Sequence, residues 1–228
     1  MLQAKINVLD DFLKSIQLSK NDVLSHSVST NLKDYPIINS KFGEDDIRSK
    51  VQVGWYAFAG GHFSPKKDAF PDCQGVIGII NDDPKAKEGN RVKVVLRHQK
   101  DMIEWCEEYI YTKVTNEDNG RENTRRLLEY GKKKGLCFPA MEFAQNYAFD
   151  GVKPGEAYVP AKAELKVLSK NYEVIKKALE QIGSSFNYYY WSSSEYSRFN
   201  AWYVYSGTGV AGRNGKRGGY AVSCLLDY

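Results

Sequence analysis

The sequence predicts an α+β fold in which short helices pack on small antiparallel sheets. Two β-branched runs, GVIGIIND and RVKVVLRHQ, flank a turn-rich spacer in the first half of the chain. An amphipathic helical pattern fills residues 161–182, and three runs rich in Tyr, Trp and Val follow it. Strands grouped before and after the helices favour α+β over an alternating βαβ sheet.

The first predicted element is a helix within residues 5–18, where apolar residues form one stripe at steps of three and four. A helix this short is marginal alone in water, so we expect it to pack on the body of the protein, to assemble copies of the chain or to dock on a larger particle. The predicted organisation is therefore an N-terminal helix and connection over residues 1–45, with an assembly or attachment role, and a ligand-binding domain over residues 46–228.

The next predicted elements are strands. VQVGWYAFAGGHFS predicts a hairpin that turns at Gly60 and Gly61, because paired glycines between β-type runs mark a turn. The two β-branched runs predict one strand each, with the turn chemistry between them supplied by Gly89 and Asn90.

Helices follow. Residues 118–134 predict a helix with Asn123 or Thr124 near its start, and residues 138–149 predict a short helix that begins at Pro139.

The pattern over residues 161–182 predicts either one amphipathic helix or two in series, broken near residues 169–171. In the second case Asn171 could serve as an N-cap, and Gly183 is a natural helix stop.

The last forty residues predict strands, separated by a polar loop over residues 209–220, GVAGRNGKRGGY. This loop fails the phosphate-binding pattern, because Val210 stands where the first glycine should be and Arg217 replaces the Ser or Thr. One RGG triplet, with a local charge of +3, is also too little for nucleic-acid binding. Neither a nucleotide nor a nucleic acid is therefore expected.

Composition excludes other classes. The chain has 228 residues and a net charge of +4, with no apolar run long enough for a membrane span, and its first residues lack the apolar region of a signal peptide. Its four cysteines show no CxxC or metal-ligand spacing, so we expect free, mostly buried thiols and neither a metal nor a cofactor.

Several motifs resemble one known family. They are YVP followed by EL at residues 158–165, WSSSEYS at residues 191–197 and NAWYV at residues 200–204, with looser matches in GWYAFAGGHFS, GVIGIIND and NGRENT. The pattern resembles the C-type-lectin-fold variable proteins of diversity-generating retroelements and their non-variable gut-bacterial and phage relatives. It covers about residues 50–228 and departs at Ser223 and Cys224, where relatives tend to have Arg and Pro.

This resemblance implies which positions bind ligand. In that family adenine-specific mutagenesis rewrites the codons of the binding patch, and an AAY codon never yields Lys, Glu, Gln, Met or Trp. Between Ser197 and Ala221 only Trp202 and Lys216 belong to that excluded set. Both are expected to be scaffold residues, together with Trp191 and Glu195. The candidate ligand-binding positions are Ser197, Arg198, Phe199, Tyr203, Tyr205, Thr208, Ala211, Gly212, Arg213, Asn214, Gly215, Arg217, Gly218, Gly219 and Ala221.

The implied function is non-enzymatic recognition of a protein or glycan ligand on a cell surface, from a phage particle or a bacterial surface. Phe199, Tyr203 and Tyr205 would be apolar anchors, and the arginines of the patch would donate hydrogen bonds. No calcium site is expected, because the EPN, QPD and WND triplets of sugar-binding relatives are absent.

Two alternatives stay open. One is a formylglycine-generating, sulfatase-modifying enzyme of the same fold, which residues 217–219 resemble, although Tyr220 replaces a Ser and Cys224 has no nearby cysteine partner. The other is a structural attachment module, in which the patch is only a surface loop.

Overall fold

The first sheet contains the predicted hairpin and both β-branched runs, and all its strand pairs are antiparallel. Gly60 and Gly61 turn the hairpin with φ of +81° and +80°, a backbone region that favours glycine. A short 3-10 turn, Ile47–Ser49, precedes it. In spatial order the strands are β1 (Ile38–Asn39), β3 (His62–Ser64), β2 (Tyr56–Phe58), β4 (Cys73–Ile80), β5 (Val92–Leu96) and β11 (Leu225–Asp227).

The second sheet holds the candidate site. In spatial order its strands are β6 (Lys100–Glu104), β10 (Gly219–Val222), β7 (Tyr189–Glu195), β8 (Asn200–Tyr205) and β9 (Val210–Gly215). Strand β10 runs parallel to β7, and the other pairs are antiparallel. The expectation of a loop over residues 209–220 is wrong, because six continuous pairs with β8 make its first half a strand.

Four helices lie among the described residues: α1 (Gly120–Lys134), α2 (Pro139–Gln145), α3 (Lys162–Lys170) and α4 (Tyr172–Gln181). The N-cap of α1 is Asn119, whose side chain accepts the Glu122 N–H at 2.9 Å. The predicted start residues, Asn123 and Thr124, are instead buried inside the first turns.

Helices α3 and α4 confirm the alternative of two helices in series. Asn171 lies at their junction, but its side chain makes no capping hydrogen bond. Gly183 follows α4 with φ of +73°, as expected for a helix stop.

The computed structural model describes residues 37–39, 47–83, 85 and 90–228, and residues 37–228 group as one compact unit. The helix predicted within residues 5–18 and the turn residue Gly89 lie outside the described residues. The division of the chain near residue 45 stays a prediction.

The core consists of two groups of buried side chains, one on each side of β7 and β8. Trp191 belongs to the first, with Trp105 and Phe138, and Tyr190 belongs to the second. Cys73, Cys106 and Cys224 are buried free thiols, as expected, whereas Cys137 is exposed. No helix in the described part of the chain is both long and apolar enough to cross a bilayer.

Candidate ligand-binding face

Five tyrosines cluster on one side of the second sheet. Tyr189 is the cross-strand partner of Tyr205, and Trp191 is the partner of Tyr203, so these side chains point to the same side. We call the set Tyr188, Tyr189, Tyr203, Tyr205 and Tyr220 the tyrosine face.

The rings of the tyrosine face touch one another. The Tyr203 and Tyr220 ring centroids are 4.6 Å apart, and those of Tyr189 and Tyr205 are 5.1 Å apart. Trp191 is fully buried and meets the Tyr220 ring edge-on at 4.8 Å, which joins the cluster to the core. Tyr188 is 56% exposed and Tyr189 is 47% exposed, whereas the other three are half-buried. The face is therefore supported from below and open to a ligand at one end.

Sequence reasoning found only two of these tyrosines, Tyr203 and Tyr205. Tyr188 and Tyr189 precede the segment taken as the patch, and Tyr220 was passed over inside it. Strand alternation was the available signal, because in NYYYW the second Tyr must share a side with the Trp two residues later.

Gly212 leaves the space that Tyr203 fills. The two residues are cross-strand partners, and a Cβ at position 212 would overlap the end of the Tyr203 ring. Of the two candidate positions, Gly212 therefore cannot carry a larger residue while the Tyr203 ring keeps its place. Asn214 lies two residues further along the same side of β9. Burial raises the pKa of the Tyr220 hydroxyl above its ordinary value.

The opposite side of the same strands carries cations on aromatic rings. Lys162 Nζ lies 4.0 Å from the Trp202 ring centroid, and the Arg213 guanidinium carbon lies 4.6 Å from the Tyr196 centroid. The Tyr196 and Trp202 rings meet edge-on at 4.8 Å. We call Lys162, Trp202, Tyr196 and Arg213 the cation ladder. Trp202, an expected scaffold residue, is only half-buried here, whereas the scaffold residue Trp191 is fully buried in the core.

Two candidate positions face the second core group, one of them buried and one partly buried. Register places Ala221, Tyr190, Val204 and Ala211 in one row across four strands. Ala221 is buried in this row, and Ala211 packs against the same core group. The expectation that Ala221 contacts a ligand is therefore wrong, because its side chain faces the core.

The turn between β7 and β8 carries three more candidates. Ser197 Oγ accepts the N–H groups of Phe199 and Asn200, at 3.3 and 3.2 Å, and so fixes the turn. Phe199 is 57% exposed and packs on the Tyr109 ring at 5.8 Å. Arg198 donates its Nε–H to the Tyr109 carbonyl oxygen.

The remaining candidates lie in two other turns. Thr208 is exposed in the turn between β8 and β9, and Arg217 is exposed in the turn between β9 and β10. Partly buried glycines complete or flank the second turn: Gly215, Gly218 and Gly219. The structure thus divides the single predicted patch among two sides of the sheet and three turns.

A buried ion pair supports the site from inside. Lys216 Nζ bonds to Glu195 Oε1, and neither side chain is exposed to solvent. Glu195 also accepts the backbone N–H groups of Thr112 and Lys113, at 3.0 and 2.8 Å. Burial lowers the pKa of Lys216, and the bond to Glu195 opposes that shift. Glu195 is fully occupied by these bonds, which suits a structural role rather than proton transfer to a substrate.

No protein-family model and no curated protein sequence matches this chain. A solved crystal structure of a fimbrial protein from Bacteroides ovatus is similar in fold, with a TM-score of 0.62 and 18% sequence identity. The match covers 78% of this chain and 49% of that protein, so the chain spans about half the length of its structural neighbour. The chain therefore shares an α+β fold with a fimbrial protein.

Proposed function

We propose that this chain is a non-enzymatic ligand-binding protein with a C-type-lectin-like fold, which recognises a protein or glycan on a cell surface. The observation that carries the proposal is the tyrosine face. Tyr offers a large contact area and a hydroxyl at a low entropic cost, which is why binding surfaces are rich in it. A sheet surface with such rings is suited to a partner's surface, for which about 800 Å² per side is usual.

The finer proposal is that positions on this sheet are diversified, as in the variable proteins that the sequence resembles. Exposed positions on β8, β9 and their turns support it, because substitutions there cost little stability. Lys216 supports it as well, since a residue that holds the core must stay fixed while its neighbours change. The encoding DNA provides the test. A nearby reverse transcriptase and a near-copy of the C-terminal coding segment that differs only at adenines are expected, and their absence would make the chain a fixed relative.

The binding proposal is tested by replacing Tyr188, Tyr189 and Tyr205 with Ala. The matched control replaces Tyr111 and Phe149, which are also exposed aromatics but make no ring contact with the tyrosine face. Labelled protein is applied to a glycan array and to intact gut-bacterial cells. Binding that disappears in the triple variant and persists in the control supports the proposal. Equal binding by wild type and triple variant contradicts the proposal.

A second candidate function is a structural attachment module on a phage particle or bacterial surface. The fold shared with a fimbrial protein favours it. Such a module needs no ligand patch, so replacing Phe199, Tyr205 and Arg213 by Ala would leave attachment intact. Loss of attachment in that variant favours ligand recognition instead.

The sulfatase-modifying alternative has less support. Cys224 is fully buried and burial raises the pKa of its thiol, which disfavours the reactive thiolate. Bound copper, or oxidation of a cysteine-containing peptide by the purified protein, would revive that alternative.

A further inference from the structure

The candidate-site arginines Arg198 and Arg213, like Arg217 in the next turn, have no acidic partner among the described residues. The sequence contains no Asp or Glu between residues 196 and 226. No described carboxylate lies within ion-pair distance of the Arg198 or Arg213 guanidinium, whereas Lys162 pairs with Glu117 and Lys216 with Glu195. Both guanidiniums are exposed, so their positive charge is open to an external anion.

Arg198 and Arg213 each lie against an aromatic ring. Arg213 stacks on Tyr196 and also bonds to the Tyr196 hydroxyl. Arg198 lies 5.8 Å from the Phe199 ring centroid and is tethered to Tyr109 by its Nε–H. These contacts orient each guanidinium before any ligand arrives, which lowers the entropy lost on binding.

The two arginine–aromatic pairs belong to one surface. On β9, Arg213 and Gly215 point to the same side, because residues two apart share a side of a strand. A Cβ at Gly215 would lie 3.3 Å from the Tyr109 hydroxyl oxygen, which places Tyr109 beside that strand end. Tyr109 in turn contacts Phe199. The cation ladder and the β7–β8 turn are thus continuous.

We propose that this surface binds an acidic polysaccharide, with Arg198 and Arg213 donating to its carboxylate or sulfate groups. Aromatic ring faces are electron-rich and attract the polarised C–H groups of a sugar ring, so Tyr196 and Phe199 can contact the sugars between the charges. A planar guanidinium matches an oxyanion with two parallel hydrogen bonds. This inference rests on the proposed ligand-binding function and assigns a ligand class to one part of the site.

Other anionic partners fit less well. Nucleic-acid binding relies on neutralising many phosphates, and two free guanidiniums supply few such contacts. An acidic peptide would use the charges but would leave the aromatic rings without a specific role.

The test measures binding to immobilised dextran sulfate and polygalacturonate, with neutral dextran as the blank. The variant R198Q/R213Q removes two charges from the surface. The control K132Q/K133Q removes the same number from exposed positions in the last turn of α1. We expect R198Q/R213Q to bind about tenfold more weakly or worse, because bonds to charged groups are among the stronger ones. The control should match wild type, and added salt should weaken wild-type binding.

Each other result overturns the inference. Equal weakening in variant and control would mean that only net charge matters, and equal binding by all three proteins would mean that Arg198 and Arg213 do not contact the polymer. No binding to either polymer would exclude acidic polysaccharides. Tighter binding to polyglutamate or to a single-stranded oligonucleotide would assign a different ligand class. None of these results affects the proposed function, which depends on the tyrosine face and is tested with separate variants. Melting curves of both double variants confirm that the fold is retained.

Discussion

Lys216 and Glu195 form an ion pair that is completely enclosed by protein. Lys216 also donates to the Ile110 carbonyl oxygen, and its ammonium group lies 4.8 Å from the Trp105 ring centroid. The pair therefore holds the loop before α1 against the end of β9. Arg198 and Phe199 project from the neighbouring turn, so the pair determines where that part of the site lies.

The first prediction concerns this pair. Lys216→Met leaves the Glu195 carboxylate buried without its cation and should lower the free energy of unfolding by about 3–5 kcal/mol. Urea denaturation measures the change. A double replacement of Lys216 and Glu195 by Met should cost less than the sum of the two single replacements, because no buried charge is then left unpaired. A loss below about 1 kcal/mol in Lys216→Met would contradict the structural role assigned to the pair.

The second prediction concerns the space beneath Tyr203. Gly212→Ala should displace the Tyr203 ring from its contact with Tyr220 and lower stability by about 1–3 kcal/mol. Gly215→Ala is the matched control, since its nearest neighbour would be the exposed Tyr109 side chain, with the hydroxyl oxygen at 3.3 Å.

Thermal unfolding and ligand binding are measured on both variants. Adding Tyr203→Ser to Gly212→Ala should restore part of the lost stability, because the smaller side chain removes the overlap. If Gly212→Ala is as stable as Gly215→Ala, positions 212 and 203 are not coupled.

Sequence patterns predicted the elements whose residues have strong periodicity, including β4, β5, α3 and α4. They could not predict β9, because Gly, Arg and Asn have low strand propensity and only its pairing with β8 makes it a strand. The division of the candidate positions between two sides of the sheet could not be predicted either, because it also depends on strand pairing. Which of Trp202 and Tyr203 faces which side depends on the register with Arg213 and Gly212, and a single sequence does not contain that register.

The third prediction is that the fold loses stability in alkali. Burial raises the pKa of the Cys73 thiol to about 11, from 9.0 in a solvated thiol, and it also raises the pKa values of Cys224 and Tyr190. Between those two pH values the unfolded state binds fewer protons than the folded state, so stability falls as pH rises. The lowered pKa of Lys216 makes stability rise with pH, but this is one group, whereas several thiol and phenol groups have the opposite effect.

Urea denaturation under reducing conditions from pH 8 to 11 tests this prediction. Cys73 alone should account for a loss on the order of 2 kcal/mol across that window. Cys73→Ala should therefore show a shallower decline with pH than wild type, whatever its stability at neutral pH. An identical decline in both proteins would remove Cys73 as a cause.

The last prediction concerns Gly120, where the NGRENT segment meets the segment of residues 158–165. Glu164 accepts the N–H groups of Gly120 at 3.1 Å and Ala161 at 2.8 Å, so one carboxylate serves the starts of α1 and α3. A Cβ on Gly120 would lie 2.5 Å from the Val159 carbonyl oxygen and 2.6 Å from the Ala161 nitrogen. These are backbone atoms and cannot rotate away.

Gly120→Ala should therefore cost about 3 kcal/mol, even though Ala is the better helix former. Gly207→Ala is the control, because its Cβ would make an ordinary contact with the Tyr205 ring at 3.4 Å. Chemical denaturation of both variants compares them directly. A neutral or stabilising Gly120→Ala would show that α1 can shift away from Glu164, and the close approach of the two helix starts would then not be a requirement of the fold.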